Sequence, residues 1–199
     1  MREITQKIYN YEELSEKAKE RAKDDYRDTF REYQNNDFYE HFTEELKYQG
    51  FENLKPRYSL GYCQGDGCSV TGRIYIEEIL NNEEILENFD KDEIRRLKYI
   101  DNSVEHKITI EIGSYHYCHA NTMNFNALVW VNNYTHRRGE LLEEVFEKLE
   151  NVLEDYFKSL CYKMEEVGYK MIYDEEYLEE DMFQADFEFY EDGTRYRDE

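Results

Sequence analysis

Five residues in two short segments could do chemistry. Cys63 and Cys68 bracket a glycine turn, Gln64-Gly65-Asp66-Gly67, and His116, Cys118 and His119 crowd a second turn further along the chain. Thiolates and imidazoles together form a ligand set that zinc accepts. Structural zinc sites favour tighter pairs, with about two to four residues between ligands, and spacing alone does not bring the two turns together. The simpler reading packs the cysteines as small apolar groups and lets the histidines hydrogen-bond at strand ends. Metal or small-ligand binding at Cys63, Cys68, His116, Cys118 and His119 is the alternative. A nucleophilic Cys63 or Cys118 with His116 or His119 as base lacks a third, orienting residue at any recognisable spacing. The glycine turn could cradle an anion through its backbone N–H groups. It leads into Cys68-Ser69-Val70 rather than a helix, however, and has no cation before Arg73, so a structural turn is the better reading. We therefore assign no catalytic residue and expect neither an enzyme nor a cofactor.

The carboxylates are the other candidate. Glu143, Glu147, Glu150 and Glu154 step by three or four, which on a helix makes a ladder with neighbours about 5 to 6 Å apart. Glu175 and Glu176, followed by Glu179, Glu180 and Asp181, form denser clusters. Such a surface can compete for the Lys and Arg rows that read nucleic acid. It is also how the solvated face of an ordinary acidic helix looks, and only the excess over the whole chain favours a binding role.

That excess is large. The 199 residues carry a formal charge of −22, and residues 140–199 hold 21 acidic and 6 basic side chains, a net of −15. Charge on this scale opposes binding to DNA or anionic membranes and favours basic partners or cations. The chain is nonetheless expected to fold, because 20 Tyr, 11 Phe and one Trp exceed what disordered chains carry. No apolar run has the length of a membrane span or a secretory core, so a cytoplasmic protein is expected. Four irregularly spaced cysteines suggest reduced thiols rather than a disulfide framework.

The elements that must position these residues follow from periodicity. Leu14, Ala18, Ala22, Tyr26 and Phe30 lay one apolar stripe along a helix starting near Ser15. A second helix runs from about Phe38 to Gln49 and stops at Gly50, with Pro56 opposing any continuation. Residues 57–62 and 70–76 flank the glycine turn as a hairpin. Residues 77–100 read as helical with one break near Asp90. Residues 105–116 and 123–131 alternate as strands, with His119-Ala120-Asn121 between them. The longest helix covers Glu140 to Met164, with a wide apolar face that must cover a sheet. A short acidic helix at 175–181 and a strand-like 185–190 complete the chain. The pattern specifies an α+β fold: an antiparallel sheet of four to five strands covered by helices, one of them long, acidic and near the C-terminus. We read one domain over 1–199, with an N-terminal helical part (about 11–50), a sheet core (about 57–133) and an acidic helical part (about 139–199).

Four segments carry a resemblance across nearly the whole chain. They are the Tyr11-Glu12-Glu13-Leu14-Ser15-Glu16-Lys17-Ala18-Lys19 opening, the Tyr62-Cys63-Gln64-Gly65-Asp66-Gly67-Cys68 turn, His119-Ala120-Asn121-Thr122-Met123, and Phe187 to Tyr196. In order and spacing they resemble a group of uncharacterised bacteriophage proteins. The resemblance implies a small accessory protein made in the cytoplasm of the bacterial host, and carries over no catalytic residue. Phage accessory proteins of this size and charge include anti-restriction and anti-CRISPR inhibitors, some of which imitate DNA. The expected function is therefore an acidic inhibitor of a host nucleic-acid-binding defence complex, such as a CRISPR effector. The partner would be a basic channel, bound by Glu143, Glu147, Glu150, Glu154, Glu175, Glu176, Glu179, Glu180 and Asp181, with no direct nucleic-acid binding and no membrane.

Overall fold

The computed structural model describes residues 7–33, 35–61, 63–98, 107–113, 116–128 and 136–197. It is an α+β fold with a four-stranded antiparallel sheet, a two-stranded ribbon and a long helix toward the C-terminus. Contacts group the chain into two compact units, one formed by residues 1–38 and 166–199, the other by residues 39–165.

The first unit is discontinuous in sequence. Strand β1 (Tyr9–Asn10) pairs antiparallel with β6 (Glu188–Phe189), so the two ends of the chain meet in one ribbon. Helix α1 (Glu16–Tyr33) begins where expected, the Ser15 hydroxyl accepting the Ala18 N–H. Its stripe of Leu14, Ala18, Ala22 and Tyr26 is buried. Helix α7 (Glu175–Gln184) is capped by the Asp174 side chain and buries Leu178 and Met182. Only Glu188–Phe189 of the expected 185–190 strand is paired, because α7 continues to Gln184.

The second unit holds the main sheet in the order β2 (Leu54–Ser59), β3 (Gly67–Tyr75), β4 (Lys107–Ile112), β5 (Met123–Leu128). The hairpin starts earlier than read from sequence. Pro56 lies inside β2 rather than before it, tolerated because β2 is an edge strand. Helix α2 (Asn35–Tyr48) precedes the sheet. Between β3 and β4 the chain forms α3 (Ile76–Leu80), α4 (Glu83–Leu86) and α5 (Lys91–Lys98). The break before α4 is additional to the expected one near Asp90. It is made by Asn82, whose side chain accepts the Ile85 N–H and donates to the Gln49 carbonyl, so it favours a cap over a continuous helix. The expected strand portions at 105–106 and 129–131 fall outside the described residues.

Helix α6 (His136–Tyr173) has 38 residues and extends beyond the expected 140–164 at both ends. Gly168 costs about 1 kcal/mol relative to alanine inside a helix. The helix nonetheless runs on and buries Ile172. In the second unit its stripe of Leu142, Val145, Phe146, Leu149, Leu153, Phe157 and Leu160 is buried against one face of the sheet. Phe157 is central, its ring 5.0 Å from Phe51 and 6.1 Å from Phe125 of β5. Among the described residues, no helix is long and apolar enough to cross a membrane.

Candidate functional site

The glycine turn is organised by Asp66. Its carboxylate accepts the Ser59 hydroxyl at 2.5 Å and the N–H groups of Gly61 at 2.7 Å and Cys63 at 2.6 Å. Burial acts to raise the Asp66 carboxyl, but these three donors outweigh it and hold the group below its ordinary value. A loop whose single acid is consumed internally is a structural turn rather than an anion cradle.

The second turn docks on the first, which spacing alone could not reveal. The Cys118 N–H donates to the Gly65 carbonyl at 2.8 Å. Gly65 has φ +94, and a Cβ there would lie 1.7 Å from the Tyr117 ring; Gly67 has φ +139, and its Cβ would lie 2.9 Å from His119 Cα. Glycine is needed at both positions by conformation and by space. Residues 120–122 form a short 3-10 helix, with the Thr122 hydroxyl donating to the His119 carbonyl.

The five cysteine and histidine candidates are not gathered into one ligand set. Cys63 and His116 are exposed, Cys118 and His119 half-buried, and Cys68 fully buried. The sequence reading missed two neighbours from α6, Cys161 and Glu165. Burial first, and then the proximity of Cys161, Glu165 and Cys118, pushes the Cys68 thiol well up. Burial, with Glu165 beside it, pushes Cys161 up to about 12. Thiols held protonated are poor nucleophiles and poor ligands. Among the described residues no group of three or more His, Cys, Asp or Glu side chains could hold a metal ion. The alternation of Cys68 with Val70 on the inward face of β3 was the available signal that this cysteine packs in the core.

The nine candidate carboxylates divide into two groups. In the first unit, Lys23 is buried, with its ammonium 2.6 Å from Glu20, 3.3 Å from Glu175 and 3.8 Å from Glu179. The Glu20 hydrogen bond raises Lys23 above the ordinary lysine value against the opposing effect of burial. The Tyr11 hydroxyl donates to Glu179, and the Tyr26 hydroxyl to Asp181. In the second unit, Glu150 accepts the Ala127 N–H of edge strand β5, and Glu154 pairs with Lys158 at 2.6 Å. Five of the nine expected contact residues thus serve the fold. Glu143, Glu147, Glu176 and Glu180 remain exposed, although Glu180 also accepts a bond from Gln184 at 3.2 Å.

On α6, Glu144, Glu147, Lys148, Asn151, Val152 and Asp155 line a shallow, open depression. Lys148 is its one cation, and its charge is taken up by Glu93 of α5 at 2.7 Å, with the ammonium 5.0 Å from the Phe89 ring centre. The depression is therefore acidic.

The fold and these surfaces define a class, an acidic α+β protein. Residues 34–175 match the family model described as a domain of unknown function (DUF8835), and the chain belongs to that family. The match spans the whole second unit. No curated protein sequence and no solved structure is similar to the chain.

Proposed function

We propose that the protein is a non-enzymatic, phage-encoded inhibitor that acts in the cytoplasm of a bacterial host. It binds the basic nucleic-acid-binding surface of a host defence complex, such as a CRISPR effector, and competes with nucleic acid there. One observation carries the reading: α6 holds Glu143 and Glu147 outward on a packed helix, beside a depression whose one lysine is already neutralised. Carboxylates ordered in this way repeat like phosphates and need no ordering on binding. Glu143, Glu147, Glu176 and Glu180 are the contact residues of this proposal.

Affinity capture from a defence-proficient host, followed by mass spectrometry, tests it. A nucleic-acid-binding defence complex is expected on the wild-type protein and absent from the Glu143→Lys/Glu147→Lys/Glu176→Lys/Glu180→Lys variant. Its retention should fall as salt is raised. Capture that is indifferent to these four reversals and to salt overturns the proposal.

A further inference from the structure

The second unit also carries a face of opposite charge. Strand register places Lys55, Arg57 and Ser59 of β2, Ser69, Thr71, Arg73 and Tyr75 of β3, Lys107, Thr109 and Glu111 of β4, and Asn124 and Asn126 of β5 on the side of the sheet away from α6. The opposite side holds Pro56, Val70, Ile74, Ile108 and Ile110 against the helices. In a chain of net charge −22, the described residues of this outer side carry four cations and a single acid, Glu111.

The cations form one file. Arg57 and Lys55 lie two residues apart along β2. Arg73 on β3 is two residues beyond Thr71, the partner of Lys55, and Lys107 on β4 is the partner of Tyr75, two residues further on. With about 7 Å per two residues along a strand and about 5 Å between strands, each step of the file is roughly 7 to 8 Å. Lys55 and Arg73 are exposed, and neither has an ion-pair partner among the described residues. The hydroxyl of Ser69, opposite Arg57, is buried and has no hydrogen-bond partner among the described residues. Thr71, Thr109, Asn124 and Asn126 place short polar groups at other positions of the face.

We propose that this face binds the phosphodiester backbone of single-stranded nucleic acid. A single file of cations follows one backbone, whereas a duplex presents two. Tyr75 is the one aromatic side chain on the face among the described residues, so there the contact is to phosphate, and it discriminates little between sequences. The protein's net charge does not forbid this, because at physiological salt charge beyond about 8 Å is largely screened. The acidic α6 surface also lies on the far side of the sheet. The inference is independent of the proposed host partner and is tested without it.

The test is fluorescence anisotropy of labelled oligo(dT) and oligo(U) of about 20 nucleotides. With phosphate contacts from the two exposed cations, Lys55 and Arg73, log affinity should fall against log salt with a slope of about −1.4, or about sevenfold between about 50 and about 200 mM. The Lys55→Gln/Arg73→Gln variant should remove most of that slope and weaken low-salt binding by about tenfold or more. Lys55→Arg/Arg73→Lys should keep both, guarding against a fold defect. The proposal is overturned by no binding at low salt, by binding the double Gln variant leaves intact, or by a preference for duplex. Equal displacement by polyglutamate also overturns it and assigns the face to an acidic protein segment.

Discussion

Acidic side chains serve two opposite ends in this protein, and the contrast is plainest between three acids of the first unit and two of the second. Between α1 and α7, Glu175, Glu179 and Asp181 bond to Lys23, Tyr11 and Tyr26, and negative charge becomes part of the bonding that holds the two helices. On α6, Glu143 and Glu147 point outward while the helix buries an apolar stripe against the sheet. Sequence alone presents both as runs of acid on amphipathic helices. Glu175, Glu179 and Asp181 of the first unit bond within the fold while Glu176 and Glu180 stay exposed, and in the second Glu150 and Glu154 bond within the fold while Glu143 and Glu147 stay exposed. A count of acidic residues therefore overstates the available surface.

The sharpest way to break this comparison is to remove the core that lets α6 display its charge. Phe157→Ala deletes a fully buried ring between Phe51 and Phe125. A loss of about 3 to 5 kcal/mol in chemical denaturation is expected. A loss below 1 kcal/mol would mean that α6 is not anchored there. Next in size is Lys23→Ala, which leaves Glu20, Glu175 and Glu179 facing one another. Its carboxylate partners are about half exposed, so the cost is placed below that of a fully buried pair, at about 2 kcal/mol. If it proves neutral, the first unit does not depend on its inward acids.

The smallest effect separates the surface acids from the structural ones. Glu143→Gln and Glu147→Gln should each shift stability by no more than about 0.5 kcal/mol. Glu179→Gln, which removes charge facing Lys23 and alters the acceptor of the Tyr11 hydroxyl, should cost measurably more in the same assay. Equal effects would erase the distinction.

A pH titration sharpens the contrast by sign. Lys23 is raised in the folded state, so its contribution is whole below the ordinary lysine value and is lost as pH rises through the raised one. Asp66 is lowered, so its contribution is whole above the ordinary carboxylate value and is lost as pH falls through the lowered one. Lys23→Met should therefore flatten the alkaline limb of the stability profile, and Asp66→Asn the acidic limb.

Much of the fold was legible because it rests on local repeats. The Leu14-Ala18-Ala22-Tyr26 step gave α1, the alternation of Ile108, Ile110 and Ile112 gave β4, and the turn at 64–67 gave the hairpin. The extra break at Asn82 was hidden, because its cap is stabilised by a contact to Gln49, 33 residues away. The pairing of Tyr9–Asn10 with Glu188–Phe189 was invisible, since two residues carry no period and their partners lie at the far end of the chain. At the candidate sites, sequence named the residues but not their jobs. It listed Glu150 with Glu147, although one caps an edge strand and the other faces out.

The sequence by itself determined the fold class, the helix and strand periods and the overall negative charge, because each depends on composition or on residues a few positions apart. Only the tertiary structure decided which acids are free and where the cations gather. Lys23 meets Glu175 across 152 residues. Lys55, Arg57, Arg73 and Lys107 share a face only because three strands pair in one register. Electrostatic partners are chosen by distance in space, and chain connectivity does not encode that distance until the sheet and helices have closed on one another.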